Sequence, residues 1–194
     1  MTRHHHLRRL LETFTPADTQ EREHQARILQ LLDSAPQSAA FSRAHYTPGH
    51  ITASAFVLDP TRTSLLLILH GKLLKWLQPG GHVDPEDRDV LESARREVFE
   101  EVAVATLSQV GDGIFDLDVH PIPARGDQPA HEHFDVRFLF EAKDTHFAAG
   151  SDARDAHWVP IEKLLREGTQ SEYASDESVL RAVRKLRGLR GVTP

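Results

Sequence analysis

Apolar residues recur at helical spacing over the first forty-odd positions and at strand spacing after them. Leu7, Leu10, Leu11 and Phe14 fall on one helical face. Thr15 then reads as the cap of a second helix, with Pro16 at its first position and Asp18 in its first turn. Ile28, Leu29, Leu31 and Leu32 form that helix's apolar side, and Ser34-Ala35-Pro36 ends it. From Gly49 the pattern changes. Residues 51–58 alternate loosely and predict a strand, closed by a turn at Asp59-Pro60-Thr61. Residues 64–70 are a continuous apolar run, short enough and close enough to a turn to favour a buried strand over a buried helix. Gln78-Pro79-Gly80-Gly81 reads as a loop, and 87–102 carries helical periodicity. Strands are expected at 114–119 and 133–140, split by a Pro/Gly-rich loop around 121–129, and at 156–159. A short helix is expected at 161–167. A final helix opens at Ser175-Asp176-Glu177, with Val179, Val183 and Leu186 inward and Arg184, Lys185 and Arg187 near the end where the dipole favours cations.

Mixed strands with helices between and around them predict a sheet covered by helices, an α/β (α+β) sandwich. Residues 1–45 are expected to form a helical extension, and 46–194 the main domain including the last helix. At 194 residues the chain suits one sizeable domain, burying about 70% of the surface its unfolded form exposes. The longest unbroken apolar run, 65–69, cannot span a bilayer. No apolar segment follows the charged, His-rich start, so a cytoplasmic location is expected. There are no cysteines, which excludes disulfides, thiolate metal sites and cysteine nucleophiles. Lys and Arg number 23 against 29 Asp and Glu, a net −6, so no electrostatic footprint for duplex nucleic acid exists. Small anionic substrates stay compatible, because a divalent cation can invert the local charge.

The chemistry concentrates in 80–104. On a helix at about 100° per residue, Glu97, Glu100 and Glu101 span roughly a 100° arc. Leu91, Ala94, Val98 and Val102 occupy another arc, suited to packing on a sheet. At an effective dielectric of ~20, each carboxylate pair at about 6 Å costs roughly 3 kcal/mol. Hard divalent cations such as Mg²⁺ or Mn²⁺ would offset that repulsion. A solvated acidic face, with Arg96 and Glu100 as an i,i+4 pair, is the plainer alternative.

This segment resembles the signature of the Nudix hydrolases: Gly, five residues, Glu, seven residues, Arg-Glu-aliphatic-x-Glu-Glu-x-Gly-aliphatic. Gly81 matches its first glycine, and Arg96, Glu97, Val98, Glu100, Glu101 and Val104 match its second half. Residues 76–80, Trp-Leu-Gln-Pro-Gly, look like the family's lead-in. The spacing from Gly81 to Arg96 is one residue longer than the pattern, which leaves Glu86 or Asp87 for the first acidic position, and Ala103 stands where the family has glycine. Glycine there would suit a left-handed helix end. The resemblance implies an α/β/α sandwich with a mixed sheet. It implies Mg²⁺ or Mn²⁺ held by Glu97, Glu100 and Glu101, with the Gly81 carbonyl as a further ligand. It also implies cleavage of a nucleoside diphosphate linked to another group, such as a nucleotide sugar, ADP-ribose or a nucleoside triphosphate. Arg96 is expected to orient a glutamate. The base that takes the water's proton stays open among Glu100, Glu101, Asp152, Asp155 and Glu172. A non-catalytic module that senses a nucleotide is the alternative reading. The expected partner is a small nucleotide, with no duplex nucleic acid and no membrane. The N-terminal helices could cover a cleft, support a homodimer or only add core.

Histidine is abundant, with 13 residues. On a strand, His131, His133 and Asp135 share one face. With His120 and His82 they form a second candidate cluster, for metal, for phosphate or simply for mutual hydrogen bonding. His131, His133 and Arg137 are candidate substrate contacts, Arg137 with a structural ion pair as an equal alternative. Trp76 is either core or a base-stacking platform. No His-Glu-x-x-His, Gly-x-Ser-x-Gly, phosphate-loop or dinucleotide-binding fingerprint is present.

Overall fold

The computed structural model describes residues 2–36, 38–71, 73–148, 150, 153–173 and 176–189. The N-terminal apolar positions build two helices, α1 (Arg3–Thr13) and α2 (Thr19–Ser34). Thr2 caps α1 by accepting from the His5 N–H, and Leu7 and Leu11 are buried. The second helix starts later than Thr15 would place it. Asp18 is its cap, accepting from the Glu21 N–H at 2.7 Å, while the Glu21 carboxylate reaches back to the Ala17 N–H. Two orphan donors are satisfied reciprocally, as in a capping box, and that pairing outcompetes the lone Thr15 hydroxyl.

Among the described residues eight strands follow: β1 (Gly49–Leu58), β2 (Ser64–His70), β3 (Trp76–Leu77), β4 (Gly80–His82), β5 (Leu107–Gln109), β6 (Asp116–Ile122), β7 (His131–Ala142) and β8 (Ala153–Pro160). Helix α3 (Val90–Val102) lies between β4 and β5 in the chain, and α4 (Ile161–Glu167) and α5 (Glu177–Leu186) close it. The strand order is β3-β2-β1-β7-β5, with β4 beside β1, β6 beside β7 and β8 beside β2. The class is the expected α+β. Run 64–70 is a strand paired with β1, β3 and β8, and its apolar residues 65–68 are buried. Residues 78–81 are not simply a loop. Gly80, Gly81 and His82 pair antiparallel with Ser54, Ala53 and Thr52, and the Ala55 N–H donates to the Pro79 carbonyl. The three-residue β5 carries too little periodicity to be seen in advance.

The chain divides into two compact units. The first comprises Met1–Ser54, Gly80–Ala94 and Asp112–Phe138. Within it α2 packs on β6, and the His24 ring bonds the Leu117 carbonyl at 3.0 Å. The second comprises Ala55–Pro79, Arg95–Gly111 and Leu139–Pro194. Its centre is the antiparallel pair β2–β8, in register from Ser64↔Pro160 to Ile68↔Ala156. Ile161 and Leu164 of α4 and Val179, Leu180, Val183 and Leu186 of α5 are buried. Asp176 caps α5; Ser175 lies outside the described residues. The Asp59 carboxylate ties the turn after β1 by accepting from the Thr63 and Ser64 N–H groups, both at 2.8 Å. Burial works to raise its pKa, but the hydrogen bonds from Thr61, Ser64 and Thr63 hold it below the ordinary carboxylate value. Among the described residues, no helix is long and apolar enough to cross a membrane.

Candidate active site

Helix α3 begins at Val90, three residues later than the periodicity suggests. Asp87 is engaged before it, accepting from the Asp84 N–H at 2.9 Å, and Asp89 accepts from the Glu92 N–H at 2.9 Å. An Asp in that position satisfies a first-turn donor, so the helix starts there. Val90, Ala94, Val98 and Val102 are buried, which fixes the rotation of the helix and sends Glu97 and Glu100 away from the core.

The glutamates are not equivalent. Glu97 keeps 14% of its side chain exposed and Glu100 keeps 54%, while Glu101 as a residue is 6% exposed. Arg96 lies between two of them, its Nη1 donating to Glu97 Oε1 at 2.9 Å and to Glu100 Oε2 at 3.0 Å. Arg96 thus offsets part of the repulsion between the carboxylates on this turn. Oxygen donors of that kind suit hard divalent cations.

The end of α3 is set from two sides. Ala103 takes the left-handed conformation, φ +57°, and its N–H donates to the Phe99 carbonyl at 2.9 Å. The helix therefore ends where a glycine would end it, with alanine in the position. Further along the chain, the Ala148 N–H donates to the Val102 carbonyl at 3.0 Å and the Gly150 N–H to the Glu101 carbonyl at 2.7 Å. A Cβ on Gly150 would lie 2.0 Å from the Glu100 carbonyl oxygen, so only glycine permits that approach. Sequence reasoning missed Gly150, because nothing local marks a glycine that meets a helix some fifty positions earlier.

Of the candidate bases, Asp152 lies outside the described residues. Asp155 accepts from the Ala156 N–H at 2.9 Å and pairs with His157 Nε2 at 3.1 Å. Glu172 takes Lys163 Nζ at 2.8 Å. Trp76 meets His157 and Tyr173 edge-on, with ring centroids 5.1 and 5.0 Å apart.

The first unit has its own polar face, on the strands. Antiparallel register places Asp116 opposite Arg137, Asp118 opposite Asp135 and His120 opposite His133. Thr52 stands opposite His82, and His50, Thr52 and Ser54 alternate along β1 onto one side. Arg137, 3% exposed, reaches Asp116 and Asp118 at 3.1 Å and Asp135 at 2.9 Å. Burial alone would lower its pKa; Asp118, Asp135 and Asp116 outweigh that and raise it. Asp135 also accepts from Thr52 and Ser54, at 3.1 and 2.7 Å.

Beyond this charged group lie the histidines. His133 has ring centroids of His50, His131, His82 and His120 at 4.9, 5.3, 5.4 and 5.6 Å. Burial, and then the neighbouring imidazoles His50, His120, His82 and His131, push the His133 pKa down to about 2. Burial, with His50 next, brings His82 down to about 4. Burial also lowers His50, against the effect of its bond to the His45 backbone. His82, His120, His131 and His133 were the expected cluster; His50 was missed. Its signal was present in the polar alternation 50-52-54 between Ile51, Ala53 and Ala55, all of them buried.

A model of the NUDIX domain matches residues 48–180. Among solved structures, the chain is similar to a C. elegans Ap4A hydrolase binary complex, with 18% identity over 71% of this chain and 94% of that chain and a TM-score of 0.54. It is similar to the E. coli dihydroneopterin triphosphate pyrophosphohydrolase, with 14% identity over 70% and 92% and a TM-score of 0.54. It is also similar to the NUDIX domain of Shewanella oneidensis NrtR complexed with ADP ribose, with 18% identity over 82% and 96% and a TM-score of 0.52. At such identities the likeness is one of fold. No curated protein matches the chain. The domain match takes in more than half of the sequence, including the glycine of β4 and the acidic turn of α3 that the motif requires, and on that ground the chain belongs to the Nudix family.

Proposed function

We propose that this Nudix hydrolase cleaves, with Mg²⁺ or Mn²⁺, the diphosphate bond of a nucleoside diphosphate linked to another moiety. The observation that carries the reading is the acidic turn: Glu97, Glu100 and Glu101 on one turn of α3, with Arg96 shared between Glu97 and Glu100. Glu97, Glu100 and Glu101 would hold the metal through carboxylate oxygens, the donor type such ions prefer. The bound ion would neutralise the diphosphate and acidify a water.

The chain's own residues have separable tasks in this reading. Arg96 is a positioning residue: it fixes the carboxylate planes of Glu97 and Glu100 by donating to both. Glu101, the most buried of the three, sits where water is scarce and electrostatic effects are strongest. It is therefore our choice to accept the water's proton or to stabilise developing charge. Arg137 has three carboxylates on its guanidinium, and we give it no phosphate. His131 and His133 are not needed for the anhydride chemistry as such.

Substrate class is tested directly. The full chain is incubated with ADP-ribose, nucleotide sugars, diadenosine polyphosphates and nucleoside triphosphates, with Mg²⁺ or Mn²⁺, and products are separated. The expected result is cleavage of at least one at the anhydride, dependent on the added ion. Tight binding of one with no cleavage of any would overturn the reading in favour of a nucleotide sensor.

A further inference from the structure

We propose that His50, His82 and His133 form a second metal site, an all-imidazole site for one borderline divalent ion, with Zn²⁺ the ion of best fit. One ring nitrogen from each residue lies within 4.8 Å of the other two. The three come from β1, β4 and β7, all within the first unit. The donor set is nitrogen only, where the turn of α3 offers oxygen only. By softness the two sets select different ions: imidazole suits zinc and its neighbours, carboxylate suits magnesium and manganese.

The strongest observation is at His50. Its Nδ1 lies 3.1 Å from the His45 carbonyl, and a carbonyl can only accept, so Nδ1 carries the proton. Nε2 is then a bare lone pair. It is buried, in a residue 1% exposed, and it has no hydrogen-bond partner. An unsatisfied buried acceptor is costly to keep, about 1–3 kcal/mol. A backbone carbonyl on one ring nitrogen with the other nitrogen free is also how metal-binding imidazoles are held: the carbonyl fixes the tautomer and aims the ligand. The orphan atom belongs to one of the three residues whose ring nitrogens converge.

The backbone is arranged for the approach. Gly49, next to His50, sits where a Cβ would be 1.9 Å from the Glu132 carbonyl oxygen, so β1 begins hard against the residue between His131 and His133. The Glu132 N–H donates to the Pro48 carbonyl at 2.9 Å and locks that contact. His131 stacks on His50 at 5.1 Å with its own Nδ1 bonded to the Pro129 carbonyl, which walls one side of the site. Zinc at ordinary Zn–N lengths sets its nitrogens about 3.3 Å apart in a tetrahedron. Binding would draw the three nitrogens together from their present spacing, within 4.8 Å of one another, to that distance. Three protein ligands leave a fourth position, which takes water or an anionic oxygen.

The proposal goes beyond the hydrolase reading and does not depend on it. The full chain is freed of metal with a chelator, desalted and titrated with Zn²⁺ by calorimetry. In parallel, Co²⁺ is added and the visible spectrum followed. One equivalent of Zn²⁺, with the absorption of tetrahedral Co²⁺, is expected. His50→Ala, His82→Gln and His133→Gln should each weaken binding at least about tenfold and remove the cobalt bands. His82 is only partly buried, so its variant keeps the test open should the His50 variant fail to fold. Far-UV circular dichroism of the metal-free variants verifies the fold. Glu97→Gln, and a His5→Ala/His6→Ala double variant, should bind Zn²⁺ as the wild type does. No stoichiometric Zn²⁺ uptake, uptake that survives all three histidine variants, or uptake lost in the N-terminal double variant would each overturn the site.

Discussion

The acidic turn of α3 and the polar face of β1, β4, β6 and β7 both gather charged or ligating groups, but by opposite means. The turn is local. Its three glutamates and its arginine lie within six consecutive residues, and half of Glu100 is in water. The strand face is assembled from distant parts of the chain, and Arg137 and its three aspartates are all nearly excluded from solvent. The charge on Glu100 can be changed with solvent to absorb the difference. A charge on the strand face cannot, because its partners would be left unpaired at low dielectric. The exposed edge of the turn can therefore change at lower cost to the fold, whereas the strand face is part of what holds the fold together.

The sharpest way to break this contrast is Arg137→Met. It keeps an unbranched apolar stem and deletes the guanidinium, leaving Asp116, Asp118 and Asp135 buried without their shared cation. A loss of about 3–5 kcal/mol is expected, a fall in Tm on the order of 10 °C. Thermal unfolding reads it directly. A Tm within a degree or two of wild type would mean that buried charge pairing does not organise this face.

The matching change on the helix is Glu101→Gln, which is nearly isosteric and removes one anion. Here the loss should fall on rate: turnover down at least about 10²-fold, equivalent to about 2.7 kcal/mol in the barrier. Far-UV circular dichroism should stay as in wild type. A variant that folds normally and turns over at the wild-type rate would make the trio a solvated helix face and nothing more.

Gly150→Ala probes how local the acidic turn is. The added methyl meets the Glu100 carbonyl, and the backbone must shift to admit it. A cost of about 1–3 kcal/mol is expected, as for overpacking, with a loss of turnover larger than stability alone explains, because Glu100 and Glu101 move with the helix end. A stability loss with wild-type turnover would show that the approach of Gly150 supports the fold and does not position the carboxylates.

The same contrast governs what could be read from the sequence. Strand and helix types followed from periodicity, since burial imposes periods of 2 and 3.6 on the apolar positions. The acidic turn was legible because neighbours on a helix are neighbours in sequence. The histidine face was half legible: alternation on one strand put His131 and His133 together, but bringing His50 to them needed the pairing of β1 with β4 and β7, which no local pattern encodes. The start of α2 was misplaced for a smaller reason. Two residues, Thr15 and Asp18, are competent caps, and the choice was made by Glu21 reaching back over the turn. Gly150 left no trace in advance, because its constraint is a steric one from a distant carbonyl.

The smallest effect expected is at Ala103, and it separates family pattern from local strain. Alanine there holds φ at +57°. A left-handed residue with a Cβ costs about 1–2 kcal/mol. Glycine removes that strain but brings an entropy cost of its own, about 0.5–1 kcal/mol. The difference leaves Ala103→Gly more stable by about 0.5–1 kcal/mol, a rise in Tm of about 1–4 °C for a chain of this size. Ala103 is exposed and buries no methyl that would be lost, so the sign is set by the backbone alone. Ala103→Val, β-branched in the same position, should move Tm the other way. If glycine gives no gain and valine no loss, the helix does not end in the left-handed conformation, and the geometry of the Glu100–Glu101 turn must be drawn again from that point.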